Sequence, residues 1–190
     1  MAGVLESVEA ALVEHFAHRP ARASVSFVGV EPIEVLRFEP VPGERAYVTL
    51  GMSRDPMTGA GEAVRAEDGP RAELVLRVRD ATGAYDDMWR KLAVLAAAPA
   101  VEGVIYRPGM TVDLGEPVAG LSKCTGVVVG EADLPPVETP AGPVHLLRAV
   151  PATTAELAWG RARGGLALLE RWAGAGVDLL DPARAPVALG

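Results

Sequence analysis

The sequence has little that would support cross-linking, export or membrane insertion. Cys124 is the only cysteine among 190 residues, which excludes an intrachain disulfide and fits a reducing compartment. No apolar run approaches the roughly 20 residues needed to cross a bilayer. The N-terminal segment is acidic and lacks the basic start and apolar core of a signal peptide. We therefore expect a cytoplasmic protein without membrane contact.

Positive charge is also scarce. Eighteen Lys and Arg residues face 25 Asp and Glu residues, which gives a net charge of −7 and a pI near 5.0. Binding to DNA or RNA requires a basic surface, so the composition argues against a nucleic-acid partner. An acidic surface ordinarily serves solubility, and it is also compatible with a basic protein partner. Length and a hydrophobic fraction of 49% predict one globular domain over residues 1–190.

The strongest strand signal lies in residues 44–53, ERAYVTLGMS, where β-branched and aromatic residues are dense and alternate. A second strand is predicted at residues 72–79, with apolar side chains on one face and a partly wet opposite face. We expect these two strands to pair at the centre of the sheet. The loop between them, residues 54–70, is long for a hairpin connection, so it is either functional or a tolerated insertion.

Helices are predicted near both ends and in the middle of the chain. They cover residues 3–18, residues 85–98 with Pro99 as the stop, and a segment that opens with a capping box of Thr153 and Glu156. Gly164-Gly165 interrupts this last helix. Further strands are predicted at residues 24–28, 33–38, 111–114, 124–129, 144–150 and 177–180. The pattern predicts an α+β fold with a mixed, largely antiparallel sheet and helices at the N-terminus, middle and C-terminus.

The histidines do not predict a metal site. His15 and His18 are three residues apart on the first predicted helix, a spacing that can place two imidazoles on one ion. A zinc site needs more ligands than these, and His145 lies on a distant strand. The pair is better explained by a favourable interaction with the helix C-terminus. We predict neither a metal nor a cofactor.

No nucleophile or phosphate loop is predicted either. Cys124 has no basic neighbour in sequence, and His145 could approach it only if their strands pair, so we expect a buried structural thiol. Ser53 lacks the flanking G-x-S-x-G pattern of a hydrolase elbow. Gly59-Ala60-Gly61 lacks the Lys-Ser or Lys-Thr of a phosphate-binding loop. No catalytic residue is therefore assigned.

One function of a different class stays open. The 54–70 loop could cover the pocket of a small-molecule-binding or hydrolytic domain. A deep cleft that gathers Glu73, Asp113 and His145 would favour this alternative. Scattered and exposed positions for these three residues would argue against it.

The order of several motifs resembles the suppressor of fused family. The likeness covers residues 44–184, with similar spacing throughout. The motifs, in chain order, are Tyr47-Val48-Thr49-Leu50-Gly51-Met52-Ser53, Glu73-Leu74-Val75-Leu76-Arg77-Val78, Trp89 within a Leu/Ala-rich helix, Pro108-Gly109-Met110-Thr111-Val112, and residues 136–144 and 150–157.

The resemblance implies a non-enzymatic protein-binding domain. Animal members restrain Gli-type transcription factors, and bacteria carry stand-alone versions that have been proposed as immunity proteins against partner toxins. A basic toxin domain is therefore an expected partner. In the animal members the partner peptide adds as a strand in a cleft between this domain and a second one. Tyr47 and Glu73 stand where the family places a Tyr and a Glu near that peptide, whereas Arg54 replaces an acidic residue.

Overall fold

A computed structural model describes residues 2–61 and 68–190 of the chain. A one-turn 3-10 helix, Met52–Arg54, follows the third strand. The other elements, in chain order, are α1 (Val4–Phe16), β1 (Ala21–Phe27), β2 (Val30–Phe38), β3 (Glu44–Leu50), β4 (Arg71–Arg79), α2 (Met88–Glu102), β5 (Thr111–Asp113), β6 (Cys124–Glu131), β7 (Val144–Thr153), α3 (Thr154–Arg163) and α4 (Gly165–Gly174).

The strands form one sheet in the order β1-β2-β3-β4-β7-β6-β5. β4 and β7 are parallel, and every other neighbouring pair is antiparallel. The predicted α+β class with a mixed, largely antiparallel sheet is therefore confirmed. β3 and β4 pair antiparallel at the third and fourth positions, which also confirms that this strand pair lies at the centre.

Helices cover both faces of the sheet, so its central strands are buried on both sides. Alternation along β4 directs Leu74 and Leu76 toward α2, and Val75 toward α1. On the α1 face, Leu12 packs with the side chains of β2 and β3. The remainder of that face is covered by α3 and α4, where Trp172 is fully buried over β6 and β7. Within the described residues, no helix is both long and apolar enough to span a bilayer.

The middle helix continues past the predicted stop at Pro99 and ends at Glu102. A proline inside a helix removes one backbone hydrogen bond, but the helix ends where Gly103 adopts φ 68° and supplies a left-handed cap. The Gly103 carbonyl also accepts a hydrogen bond from the Ala60 amide at 3.0 Å. The prediction that Pro99 ends the helix was therefore wrong.

In the C-terminal region, the predicted capping box at Thr153 and the predicted helix break at Gly164 are confirmed, but the predicted strand at residues 177–180 is absent. Thr153 accepts from the Glu156 amide and Glu156 accepts from the Thr153 amide, as in a capping box. Gly164 separates α3 from α4 with φ 100°. Residues 177–180 do not form a strand. The Arg79 amide donates a bond of 2.7 Å to the Leu180 carbonyl, and the Arg79 side chain pairs with Asp178, so both groups tie this segment to β4.

Candidate partner-binding surface

Tyr47 is held in the core by β3, where alternation directs its ring toward α2. Only 1% of the residue is exposed. The hydroxyl donates a hydrogen bond of 3.2 Å to Oδ1 of Asp86, which precedes α2. Burial raises the pKa of Tyr47 to about 12, against the opposing influence of Arg45. The phenol is therefore neutral at physiological pH and acts as a hydrogen-bond donor.

A network of charged side chains surrounds the Tyr47 hydroxyl. The Arg45 guanidinium contacts the carboxylates of Asp80, at 3.0 Å, and Asp86. Asp80 is fixed further by the Tyr85 amide, which donates to its Oδ2 at 3.1 Å. Arg37 lies 3.5 Å from Asp86. These bonds join the N-terminal end of α2 to β2 and β3, so the polar end of Tyr47 has a fixed position.

A cavity of about 170 Å³ opens between this network and the edge strand β1. Its walls are aliphatic, aromatic and charged, a composition suited to one amphipathic side chain. The lining residues are Ala21, Arg22, Ala23, Val35, Arg37, Tyr47, Asp86 and Trp89.

β1 forms one edge of the sheet, because among the described strands it pairs only with β2. Its outer side presents backbone amide and carbonyl groups to solvent, where another strand can pair. Arg22 is the only charged side chain of β1, and it is bonded to Glu34 at 3.0 Å and to Glu9. Val28, at the turn that follows β1, is fully exposed. The edge therefore carries few of the charges that protect other edge strands from pairing.

Glu73 lies in β4 with none of its surface exposed. Its Oε2 accepts from the Thr49 hydroxyl at 2.6 Å. Its Oε1 accepts from the Gly51 amide at 2.8 Å, the Ser53 amide at 3.0 Å and the Ser53 hydroxyl at 2.7 Å. This carboxylate therefore holds the turn that follows β3.

The structure does not bring Tyr47 and Glu73 together. Tyr47 belongs to the cluster beneath α2, whereas alternation along β4 directs Glu73 to the side of Val75, which faces α1. Tyr47 lines the cavity beside β1, whereas Glu73 is enclosed. Sequence reasoning missed Asp86 as the partner of the Tyr47 hydroxyl, because the two residues are 39 positions apart in the chain.

The family model described as suppressor of fused protein (SUFU) matches residues 29–185. The chain belongs to the suppressor of fused family. No curated protein matches it with significant sequence similarity. The family assignment agrees with the resemblance inferred from the motif order.

Solved suppressor of fused structures share the fold of this family member at low sequence identity. A homologue from Neisseria gonorrhoeae FA 1090 has a TM-score of 0.73 and 17% identity, covering 97% of this chain and 96% of that chain. The protein in the Sufu–Fu complex has a TM-score of 0.72 and 16% identity, with coverages of 95% and 90%. Drosophila Suppressor of Fused has a TM-score of 0.67 and 16% identity, covering 95% of this chain and 50% of that chain.

His15 and His18 do not share a ligand site in this suppressor of fused member, because His18 uses its ring nitrogens for other hydrogen bonds. His15 is exposed on α1, whereas His18 uses Nδ1 to bond the Phe16 carbonyl at 2.9 Å and Nε2 to accept from the Glu39 amide at 3.1 Å. Both ring nitrogens of His18 are occupied. Over residues 2–61 and 68–190, no group of three His, Cys, Asp or Glu residues has the arrangement of a metal site.

The potential nucleophiles are enclosed. Cys124 is fully buried, and burial raises the pKa of its thiol. β6 and β7 do pair, but Cys124 lies opposite Thr153, eight residues along β7 from His145. At about 3.3 Å per residue this is roughly 26 Å. Ser53 is also fully buried, with its hydroxyl bonded to Glu73.

The three residues of the hydrolase alternative do not meet. Glu73 is buried in β4, His145 is exposed on β7, and Asp113 is exposed on β5, three strands from β4, where it pairs with Arg161 at 3.5 Å. A cavity of about 490 Å³ does lie beside residues 54–61. The middle of the predicted loop, residues 62–67, lies outside the described residues. None of the three residues lines this cavity.

Proposed function

We propose that this chain is a non-enzymatic protein-binding domain whose partner adds a strand to the outer edge of β1. The observation that carries the proposal is the combination of an unpaired strand edge with a side-chain cavity directly behind it. Strand addition uses main-chain hydrogen bonds for affinity and pockets for alternate side chains for specificity. Membership of the suppressor of fused family supports a protein partner.

In this proposal Tyr47 is a contact residue and Glu73 is a positioning residue. A partner side chain that enters the cavity meets the hydroxyl of Tyr47 and the carboxylate of Asp86, both held by Arg45. A donor group, such as an amide, a hydroxyl or a cationic side chain, would satisfy Asp86. Glu73 acts through the turn that follows β3 and does not touch the partner.

A more specific form of this proposal, called the finer proposal below, is that the partner is a basic toxin domain and that the chain neutralises it. The net charge of −7 supports it, because complementary charge accelerates the encounter of two proteins. Fast capture matters for an inhibitor of a harmful protein. The expected association rate then falls steeply as salt concentration rises.

A photo-crosslinking amino acid at Val28 tests the proposal in cells of the native host. Val28 is fully exposed beside the β1 edge, and Leu121, 89% exposed on a different loop, provides a matched control position. We expect a specific protein adduct from position 28 and none from position 121. Substitution Ala23→Trp, which fills the cavity, should abolish the adduct, whereas Ser24→Trp on the opposite face of the same strand should not.

The adduct must contain one defined protein that binds the purified chain directly. Equal adducts from positions 28 and 121, or an adduct that survives Ala23→Trp, would contradict the strand-addition mode. The absence of any adduct across growth conditions would count against protein binding itself. If the captured protein is not a toxin, the finer proposal is wrong while the binding mode stands.

A further inference from the structure

A small cavity on the α1 face of the sheet encloses an arginine without an anionic partner. The cavity has a volume of about 180 Å³ and lies between the end of α1 and the strands β4 and β7. It faces away from the Tyr47 cavity, which opens on the α2 side. Its lining residues are His15, Phe16, Pro40, Val75, Arg77, Ala132, Asp133, Leu134 and Arg148.

Arg148 occupies the floor of this cavity in the middle of β7. Its neighbours across the sheet are Val75 on β4 and Gly130 on β6, neither of which can neutralise a cation. Within the described part of the chain, Arg148 makes no hydrogen bond and no salt bridge. Burial lowers the pKa of Arg148. The negative charge of Asp133 favours a higher pKa, although Asp133 does not form an ion pair with Arg148.

A partly buried guanidinium without a counter-charge raises the free energy of the folded state unless a bound anion neutralises it. Among the described residues, Arg19, Arg107 and Arg163 also have no ion pair, but these three are exposed and water solvates them. The buried Arg71 differs because it donates to the carbonyls of Ser53 and Arg54. Arg148 is half-buried, so it loses part of its hydration without gaining a partner. A guanidinium presents a planar set of donors that matches a carboxylate or phosphate in a bidentate geometry.

The other charged groups of the cavity leave Arg148 as the group available to a ligand. Arg77 is committed to Glu44, to which its Nε donates at 2.8 Å. His15 lies at the last turn of α1 and adds a donor at the rim. Asp133 is exposed and can turn toward solvent. The volume suits a single small oxyanion or one acidic side chain.

We propose that this cavity is an oxyanion-binding site in which Arg148 holds a carboxylate or a phosphate group. The site is independent of the proposed strand addition at β1. Its position on the opposite face of the sheet allows both ligands to bind at once.

Titration of the purified protein with acetate and, separately, inorganic phosphate tests the site. The readout is the Nε–Hε resonance of Arg148 in NMR spectra, with sodium chloride at matched ionic strength as the reference. We expect a saturable shift of this resonance with at least one oxyanion. Saturation with acetate would identify the bound group as a carboxylate, and saturation with inorganic phosphate would identify it as a phosphate. No saturable shift beyond chloride with either anion would overturn the proposal.

Arg148→Gln and the exposed control Arg163→Gln separate a site from general charge screening. We expect Arg148→Gln to weaken anion-dependent thermal stabilisation at least tenfold in apparent affinity, and Arg163→Gln to leave it unchanged. Arg148→Gln should fold, because no described hydrogen bond or salt bridge of the side chain is lost, and circular dichroism checks this. Arg148→Lys, which keeps the charge but not the planar fork, provides a second variant and should bind more weakly than wild type. Equal stabilisation of wild type and Arg148→Gln would overturn the assignment.

Discussion

Glu156 and Arg184 form a buried ion pair that fastens the C-terminal segment to the start of α3. Arg184 Nη1 lies 2.8 Å from Glu156 Oε1, and Glu156 has no exposed surface while Arg184 is 7% exposed. The same carboxylate accepts from Trp172 Nε1 at 2.9 Å and from the Val187 amide at 3.0 Å. One side chain therefore joins α3, α4 and residues 184–187.

Substitution Glu156→Gln should destabilise the fold strongly. It leaves the Arg184 guanidinium buried without a counter-charge, and breaking such a pair costs about 3–5 kcal/mol. The free energy of unfolding from urea titration measures this loss. Glu170→Gln, an exposed position on α4, is the matched control and should change stability by less than about 0.5 kcal/mol. Similar small effects at both positions would show that the pair contributes little.

The stability should also fall in acid through the same carboxylate. Burial alone would raise the pKa of Glu156, but hydrogen bonds from Arg184, Thr153, Val187 and Trp172 outweigh it and lower the pKa to about 2 from 4.5. The stabilisation is therefore present above pH 4.5 and is lost as the pH falls from about 4.5 to about 2. The loss is on the order of 3 kcal/mol. Unfolding measured against pH should show a shallower slope in this window for Glu156→Gln.

Glu73 should behave as a structural residue. Glu73→Leu leaves the amides of Gly51 and Ser53 and the Thr49 hydroxyl without their acceptor in a buried site. We expect a loss of about 3 kcal/mol or more, since each unsatisfied buried group costs about 1–3 kcal/mol. Glu73→Gln retains one oxygen acceptor and should cost less. Partner affinity of the folded Gln variant should match wild type, and a tenfold loss would instead place Glu73 in the interface.

A close backbone approach between α4 and the loop before β5 predicts the effect of a single methyl group. A Cβ at Gly165 would lie 2.1 Å from the Gly109 carbonyl oxygen, whereas nothing lies within 4 Å of a Cβ at Gly174. Gly165→Ala should therefore destabilise the protein by about 2 kcal/mol or more. Gly174→Ala should be neutral or stabilise by up to about 1 kcal/mol. Thermal unfolding of both variants measures the difference.

The sequence predicted what depends on local patterns. Alternation identified β3 and β4 and their central position, and the Thr153 and Glu156 spacing identified the capping box. The prediction that Pro99 ends α2 was wrong, because the residues around Pro99 remain helical and the helix ends at the left-handed Gly103. That error concerns the end of a helix that was otherwise recognised, whereas the strand predicted at residues 177–180 is absent.

Contacts between distant segments could not be predicted in the same way. Arg184 is 28 residues from Glu156, and nothing in the spacing indicates that the two charges meet in the core. Glu73 was predicted to be near a partner because of the family resemblance, and its polar character on a strand fits an exposed position equally well. Its burial depends on the turn at Gly51–Ser53, which folds back and supplies the donors.

The most direct test of strand addition is amide hydrogen exchange of the chain with and without its captured partner. We expect slower exchange across β1, Ala21–Phe27, when the partner is bound, because the outward amides of this strand gain acceptors. Ala23→Trp should remove this protection. Unchanged exchange in β1, with protection instead at the opposite edge strand β5, Thr111–Asp113, would contradict strand addition at β1.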